Sequence, residues 1–318
     1  EQGYDDFVPR GNRALSIIPQ AKEWLARHQN EPYFLFLHMY DIHSPYARDP
    51  KYKEMFLDFD YTGDIDPARG HLGLFRRKLD RGAGQGYEIS DDDARYLKTI
   101  YAGGLRRADD ILAEFLTYLL NDLPAGTLLI ITSDHGEEFM EHDTVLHSEL
   151  YRTITHVPLM IRLPGGEAAG TRIARSVGLI DLLPTVLDAC GLTNPAPMSG
   201  RSLLPVIRGE SDAYRPFVFS EFEHKTVGRR LSILDDRYHL VVDRKKGTHE
   251  LYRHDEDPFE QNDLWNIETG VADSLLSLLE AWEAHVLAER GEESGRDVDA
   301  PELDPETVRE LKAFGYLD

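Results

Sequence analysis

The chain has 318 residues, 41% of them apolar, and a formal net charge of -22 at pH 7. That length holds one large domain or two, no run of 18 apolar residues is present to span a bilayer, and the acidic balance argues against nucleic acid as a partner because a phosphate backbone would be repelled. A single cysteine, Cys190, excludes an internal disulfide, and its place in the apolar pattern of a helix end predicts a buried, inert thiol.

In chain order, residues 1–19 show no sustained periodicity and read as an extended segment with a turn at Asp5-Asp6. A helix is expected over Ile18 to His28, with Pro19 in its first turn, where a missing N–H costs nothing. Tyr33 to Leu37 reads as a buried strand running into His38-Met39-Tyr40-Asp41-Ile42-His43-Ser44-Pro45-Tyr46. Either histidine alone suits a structural role; the pair, with Asp41 between, favours function. Residues 47–90 read as a long irregular insertion of the kind that contacts substrate. Ser90 then caps a long helix whose apolar spacing continues to Asn121 despite Gly103-Gly104, a crossover leading into a right-handed βαβ unit.

The stretch from Thr127 to His147, TLLIITSDHGEEFMEHDTVLH, is the densest in chemistry. Leu128 to Ile131 reads as a strand buried on both faces, as in parallel sheets. Asp134 and His135 stand at its carboxyl end, where ligands gather in such sheets, and Gly136 is expected to let the backbone turn so that both point at one place. The pair suits a divalent cation. A helix N-cap beside a surface histidine would look the same locally, but His135, His142, His147 and His156 fall within 22 residues. A solvated acidic face explains the nearby carboxylates and not the histidines.

Further on, His156 to Leu163 reads as a strand led by a structural histidine, Ser176 to Cys190 as an amphipathic helix closed by Gly191, and Arg201 to Arg208 as a short helical return. From Pro216 the texture changes to short strands around Val218, Leu231 to Leu234, Tyr238 to Val242 and Glu250 to Tyr252, an antiparallel meander. Helices are expected at Val271 to Glu289 and Pro305 to Phe314, joined by an acidic linker from Gly291 to Asp299. The division falls near residue 211, giving domains 1–210 and 211–318.

Five segments, in order, resemble the sulfatase family of the alkaline phosphatase superfamily. FLFLHMYDIHSPY at 34–46 is similar to its strand ending in a Pro-His-x-Pro-Tyr-like turn, and TSDHGEEFMEH at 132–142 to its Ser-Asp-His-Gly-Glu motif. THVPLMIRLPG at 155–165 is similar to the strand that follows. GLIDLLPTVLDACGL at 178–192 with SGRSLLPVIRGE at 199–210 resembles its Asp-x-x-Pro-Thr helix and Gly-Arg-Ser-Leu segment, and HELYRHDEDPFEQNDLWN at 249–266 its C-terminal signature. The resemblance implies an α/β fold, an alkaline-phosphatase-like α/β/α sandwich with a small C-terminal α+β subdomain of antiparallel sheet plus helix. It implies that Asp134 and His135 are metal ligands, that His43 stands beside the scissile ester, that His147 contacts the oxygens of the transferred group and that His38 contacts substrate.

The resemblance further implies a metal-dependent sulfuric ester hydrolase acting on a small-molecule or glycan sulfate ester. Calcium is the expected ion. Where many sulfatases carry Asn this chain has His135, and an imidazole also admits Mn²⁺ or Zn²⁺. The family's nucleophile pattern, Cys/Ser-x-Pro-x-Arg, is absent, since Cys190 is followed by Gly-Leu-Thr-Asn. The expectation is therefore that roughly the first third of the catalytic domain lies outside this sequence. Two alternatives stand beside it: a phosphonate or phosphodiester hydrolase or phosphoethanolamine transferase of the same superfamily, and an inactive fragment or binding protein.

Overall fold

The computed structural model describes residues 3–8, 13–46, 49–75, 88–193, 198–210, 217–225 and 227–293. Helix α1 spans Ala14–His28. It starts four residues before the expected position because its N-terminus is capped from far along the chain: the Ala14 N–H donates to Asp41 Oδ2 at 2.6 Å. Pro19 therefore lies inside the helix. Asp41 is buried, with Oδ1 3.5 Å from Arg107, so it serves the scaffold rather than joining His38 and His43.

Helix α2, Pro50–Glu54, is capped by Asp49. Residues 49–75 are less irregular than expected, since Ile65, Leu72 and Phe75 enter one core cluster with Tyr46; the rest of that expected loop, 76–87, lies outside the described residues. Helix α3, Asp91–Asp122, opens on a capping box in which Ser90 and Asp93 satisfy each other's backbone N–H. Gly103 lets α2 come close, as a Cβ there would sit 2.9 Å from the Tyr52 carbonyl oxygen. Two cores hang on α3. Leu97 and Ile100 pack with Tyr46, Phe139 and Val145, while Phe115 and Leu119 pack with Ala21 and Leu25 of α1 and with Tyr33, Leu35 and Leu37. Each such fully buried large side chain contributes about 1.5–3 kcal/mol.

Residues 33–37 are extended but join no ladder among the described residues. They are also buried on one face only: Tyr33, Leu35 and Leu37 face the helices, and Phe34 and Phe36 are more than 60% exposed. Strand β1, Leu129–Thr132, is half-buried rather than fully buried. Its partner is not the 33–37 segment in parallel. After the hairpin of β2, Glu138–Phe139, and β3, Val145–Leu146, and the short helix α4, Arg152–Thr155, strand β4, Leu159–Arg162, returns along β1 in antiparallel register, Leu129 opposite Arg162 and Thr132 opposite Leu159. The expected βαβ unit is thus replaced, among the described residues, by a 26-residue excursion that reverses direction.

Helix α5, Leu182–Ala189, and α6, Leu204–Ile207, are tied by the fully buried Asp181. Its two oxygens accept the Gly178 and Arg201 N–H groups, and the Thr185 hydroxyl accepts the Leu203 N–H. This gives the Asp-x-x-Pro-Thr and Gly-Arg-Ser-Leu segments a structural reason. Cys190 caps α5 and is exposed, against the expectation of a buried thiol, because the outer face of α5 is uncovered, with Leu183 also exposed. Four strands, β5 Val218–His224, β6 Gly228–Leu234, β7 Tyr238–Asp243 and β8 Thr248–Arg253, form the expected antiparallel meander. Helix α7, Thr269–Glu293, follows. The chain divides into two compact units, Glu1–Ala272 and Asp273–Asp318. The expected boundary near 211 and the helix at 305–314 lie outside the described residues, and none of the described helices is long and apolar enough to cross a membrane.

Candidate active site

The loop after β1 is locked before any ligand is considered. The Ser133 hydroxyl donates to the His135 carbonyl at 2.8 Å, and the His135 N–H donates to Asp134 Oδ1 at 3.0 Å. Gly136 is required for a reason other than the expected turn. Its φ is not left-handed; instead a Cβ there would run into the Thr153 carbonyl oxygen. The close approach allows Gly136 and Glu137 to donate to the Ile154 and Thr153 carbonyls at 2.7 and 3.1 Å. Turns at Met140, Asp143 and Leu146, each with positive φ, then bring His147 back beside His135.

The five side chains singled out in the sequence form one cluster. Asp134 Oδ2 lies 3.7 Å from His135 Nε2 and 3.9 Å from His38 Nε2. The rings of His135 and His147 stack at 4.0 Å between centroids, His43 and His147 are 5.5 Å apart, and His43 and His135 6.5 Å. Tyr40 bridges His38 and His43 at 4.7 and 5.5 Å.

Three of the histidines share an orientation. Nδ1 of His43 lies 2.6 Å from the Ser44 carbonyl, Nδ1 of His135 2.8 Å from the Gly136 carbonyl, and Nδ1 of His147 3.1 Å from Glu137 Oε1. Carbonyl and carboxylate oxygens only accept, so each Nδ1 is assigned the proton and each Nε2 is left as the reactive nitrogen. Burial holds the His43 pKa below the ordinary imidazole value; the Ser44 carbonyl opposes this, and the neighbouring His147 and His135 reinforce it.

His142 belongs elsewhere. It stacks on Tyr151 at 3.6 Å, with Nδ1 3.0 Å from Glu138 and Nε2 2.9 Å from the Glu260 carbonyl. Glu260, almost fully buried, takes His239 Nδ1 at 2.7 Å and the Arg152 N–H, which opens α4, at 2.8 Å. This network fastens the histidine loop to β7. His156 caps the other end of α4, and its neighbours are Arg152 and His254.

Asp134 and His135 suit a shared cation in their spacing, since two donors each about 2.1 Å from one ion stand roughly 3–4 Å apart. His135 also offers the nitrogen that a metal takes. Among the described residues, however, no group of three or more His, Cys, Asp or Glu side chains is disposed to hold an ion.

Comparison with known proteins shows the family. The Sulfatase family model matches residues 14–192, more than half of the chain, and the model of the N-sulphoglucosamine sulphohydrolase C-terminal region matches 141–282. The chain belongs to the sulfatase family. Arylsulfatase K of Homo sapiens is 33% identical over 138 residues, 41% of this chain and 26% of that protein. The multifunctional alkaline phosphatase superfamily protein PehA of Trinickia caryophylli is 28% identical over 229 residues, 65% of this chain and 44% of PehA. The chain thus spans a quarter to a half of these relatives' lengths. The crystal structure of the phosphonate monoester hydrolase of Agrobacterium radiobacter superposes with a TM-score of 0.66 at 22% identity, covering 88% of this chain and 60% of that one. The fold is accordingly the alkaline-phosphatase-like α/β/α sandwich followed by an antiparallel sheet and helix. Glu137, Tyr40 and Tyr46 are site neighbours that sequence reasoning did not single out. Nothing in the local pattern pairs residue 137 with 147, because the pairing depends on the backbone reversals at 140, 143 and 146.

Proposed function

We propose that this sulfatase-family chain carries part of the active site of a metal-dependent sulfuric ester hydrolase acting on a small-molecule or glycan sulfate ester. The observation that carries the reading is the placing of His38 and His135 beside Asp134 and of His43 and His147 beside His135, three of the rings with Nε2 left as the reactive nitrogen. Asp134 and His135 would hold a divalent cation, with calcium expected first and Mn²⁺ or Zn²⁺ admitted by the imidazole. An ion held there would supply Lewis-acid stabilisation of charge on the ester.

The chain's own groups supply the rest. His43, when protonated, donates from Nε2 to the departing oxygen, and its lowered pKa makes it the stronger acid for that step. His147, when its ring is doubly protonated, donates from Nε2 to the oxygens of the transferred group, and His38 contacts substrate from the Asp134 side. In a chain of net charge -22, an anionic ester needs local positive charge to be held, which imidazolium forms of these rings or a bound cation would supply. The family's nucleophile pattern does not occur in this sequence, so the residues named here carry the ion, leaving-group and substrate roles and not the nucleophile's.

A second reading, ester hydrolysis at phosphorus, is supported by the imidazole at position 135 and by the match to PehA. Turnover of an aryl sulfate and an aryl phosphonate by the natural protein that carries this chain separates the two. Preference for the sulfate, lost in His43→Ala, is the expected result; preference for the phosphonate, or no turnover of either, would overturn the proposal.

A further inference from the structure

The catalytic reading uses His147 but not the group behind it. We infer that Glu137 is the positioning residue of His147, and that with Tyr46 it locks that ring to the loop carrying His43; the inference rests on the reading of the cluster as an ester-hydrolysis site.

The Glu137 side chain is 5% exposed and spends one oxygen on each partner. Oε1 faces His147 Nδ1 at 3.1 Å, and Oε2 accepts the Tyr46 hydroxyl at 3.0 Å. Tyr46 is itself 1% exposed and sits three residues after His43, edge-on to Tyr101 at 5.6 Å and against Phe139. Burial and the Glu137 carboxylate raise the phenol's pKa, so it remains a donor at any working pH. Glu137's own backbone is pinned by its N–H to the Thr153 carbonyl. The carboxylate therefore cannot rotate to share either partner without breaking the other bond.

This has a consequence for chemistry. His43 and His135 take their tautomer from the carbonyl of the next residue in the chain, Ser44 and Gly136. His147 takes its tautomer from a residue ten positions earlier, which in turn is held by the His43 loop. One buried carboxylate thus sets both which nitrogen of His147 faces the cluster and how far His147 stands from His43, 5.5 Å between rings. A carboxylate that merely closed the β2–β3 hairpin would need no bond to Tyr46 on the other loop.

The test reads the tautomer and needs no turnover. The chain labelled with ¹⁵N-histidine is measured by two-bond ¹H–¹⁵N correlation at a pH about two units above the ordinary imidazole value of about 6.5. Wild type is expected to carry the His147 proton on Nδ1. Glu137→Leu, close to the original side chain in volume, should move it to Nε2, while His43 and His135 keep Nδ1–H and so report an intact site. Tyr46→Phe should leave the His147 tautomer in place and broaden its signals. A wild-type His147 protonated on Nε2, or a tautomer indifferent to Glu137→Leu, overturns the assignment; should that variant fail to fold, the wild-type spectrum alone decides. No aryl sulfate turnover by the natural protein that carries this chain, with His147 on Nδ1, would sink the ester-hydrolysis reading and leave Glu137's placement standing, whereas turnover with His147 on Nε2 would sink the placement alone.

Discussion

Replacing Gly136 with Ala tests the local physics that holds the site together. A Cβ there collides with a backbone oxygen, that of Thr153, rather than with a side chain that could swing away. Relief requires the Asp134–Glu137 loop and helix α4 to part. The parting breaks the Gly136 to Ile154 and Glu137 to Thr153 hydrogen bonds, at 2.7 and 3.1 Å. Each bond contributes about 1 kcal/mol net, and overpacking adds about 1–3 kcal/mol. The expected loss is about 3–5 kcal/mol, read as a lower midpoint of urea denaturation with unchanged slope. Gly136→Asn separates this cause from a left-handed turn, since Asn tolerates positive φ and would be nearly neutral there, but meets the same oxygen. A loss below about 1 kcal/mol in both variants would refute the close-approach argument.

Further outcomes follow from the same contacts. Glu260→Gln replaces one carboxylate acceptor by an amide donor, so with Oε1 on the Arg152 N–H the His239 ring is forced to the tautomer whose Nδ1 accepts and both contacts lose their charge assistance; stability should fall by about 1–3 kcal/mol in denaturant titration, and an unchanged midpoint would contradict the network. In the folded protein, burial pushes Glu260 upward but His239 and the Arg152 N–H outweigh it and hold its pKa below the ordinary 4.5. Its contribution is therefore complete above 4.5 and lost as pH falls through the folded value. His43, His156 and His254, lowered chiefly by burial, act in the same direction below 6.5. His142 acts the other way: burial opposes, but Glu138 raises it, so its contribution is present below 6.5 and fades as pH rises through the folded value. Denaturation midpoints should drop between pH 6 and pH 3.5, and less steeply in Glu260→Gln; a flat acid limb contradicts this. Asp41→Ala removes the cap of α1 and should cost about 1–2 kcal/mol, measurable as lost helical ellipticity on mild heating; equal melting curves would show that the cap is idle.

The sequence made the site more legible than its scaffold. Asp134, His135, His43, His147 and His38 lie among ionisable residues that cluster after two apolar runs, and the resemblance to the sulfatase family separated them from His142 and His156; the structure gathers all five. The antiparallel meander of β5–β8 was readable from alternation and turn residues. Long-range pairing was not. Nothing near Ala14 signals that Asp41 caps it, and nothing in Leu128 to Ile131 says that β4, rather than residues 33–37, lies alongside. Apolar runs reported burial but not its sidedness, as Phe34 and Phe36 show. Gly136 was read correctly as necessary and wrongly as a turn, because the oxygen that excludes a side chain belongs to Thr153. Buried pairs such as Glu137 with His147 and Glu260 with His239 depend on tertiary approach, and alternation carries no trace of it.

The central claim is that a divalent cation binds between Asp134 and His135, facing His43 and His147. Manganese added to the ¹⁵N-histidine chain tests it directly, because the paramagnetic ion broadens nearby resonances. The account predicts that His38 and His135 disappear first and His43 and His147 next, that His239, buried in the Glu260 network, outlasts these four, and that Asp134→Asn weakens the effect by roughly tenfold or more in manganese concentration. Broadening centred on His142 or His239, or a titration indifferent to Asp134→Asn, would contradict it.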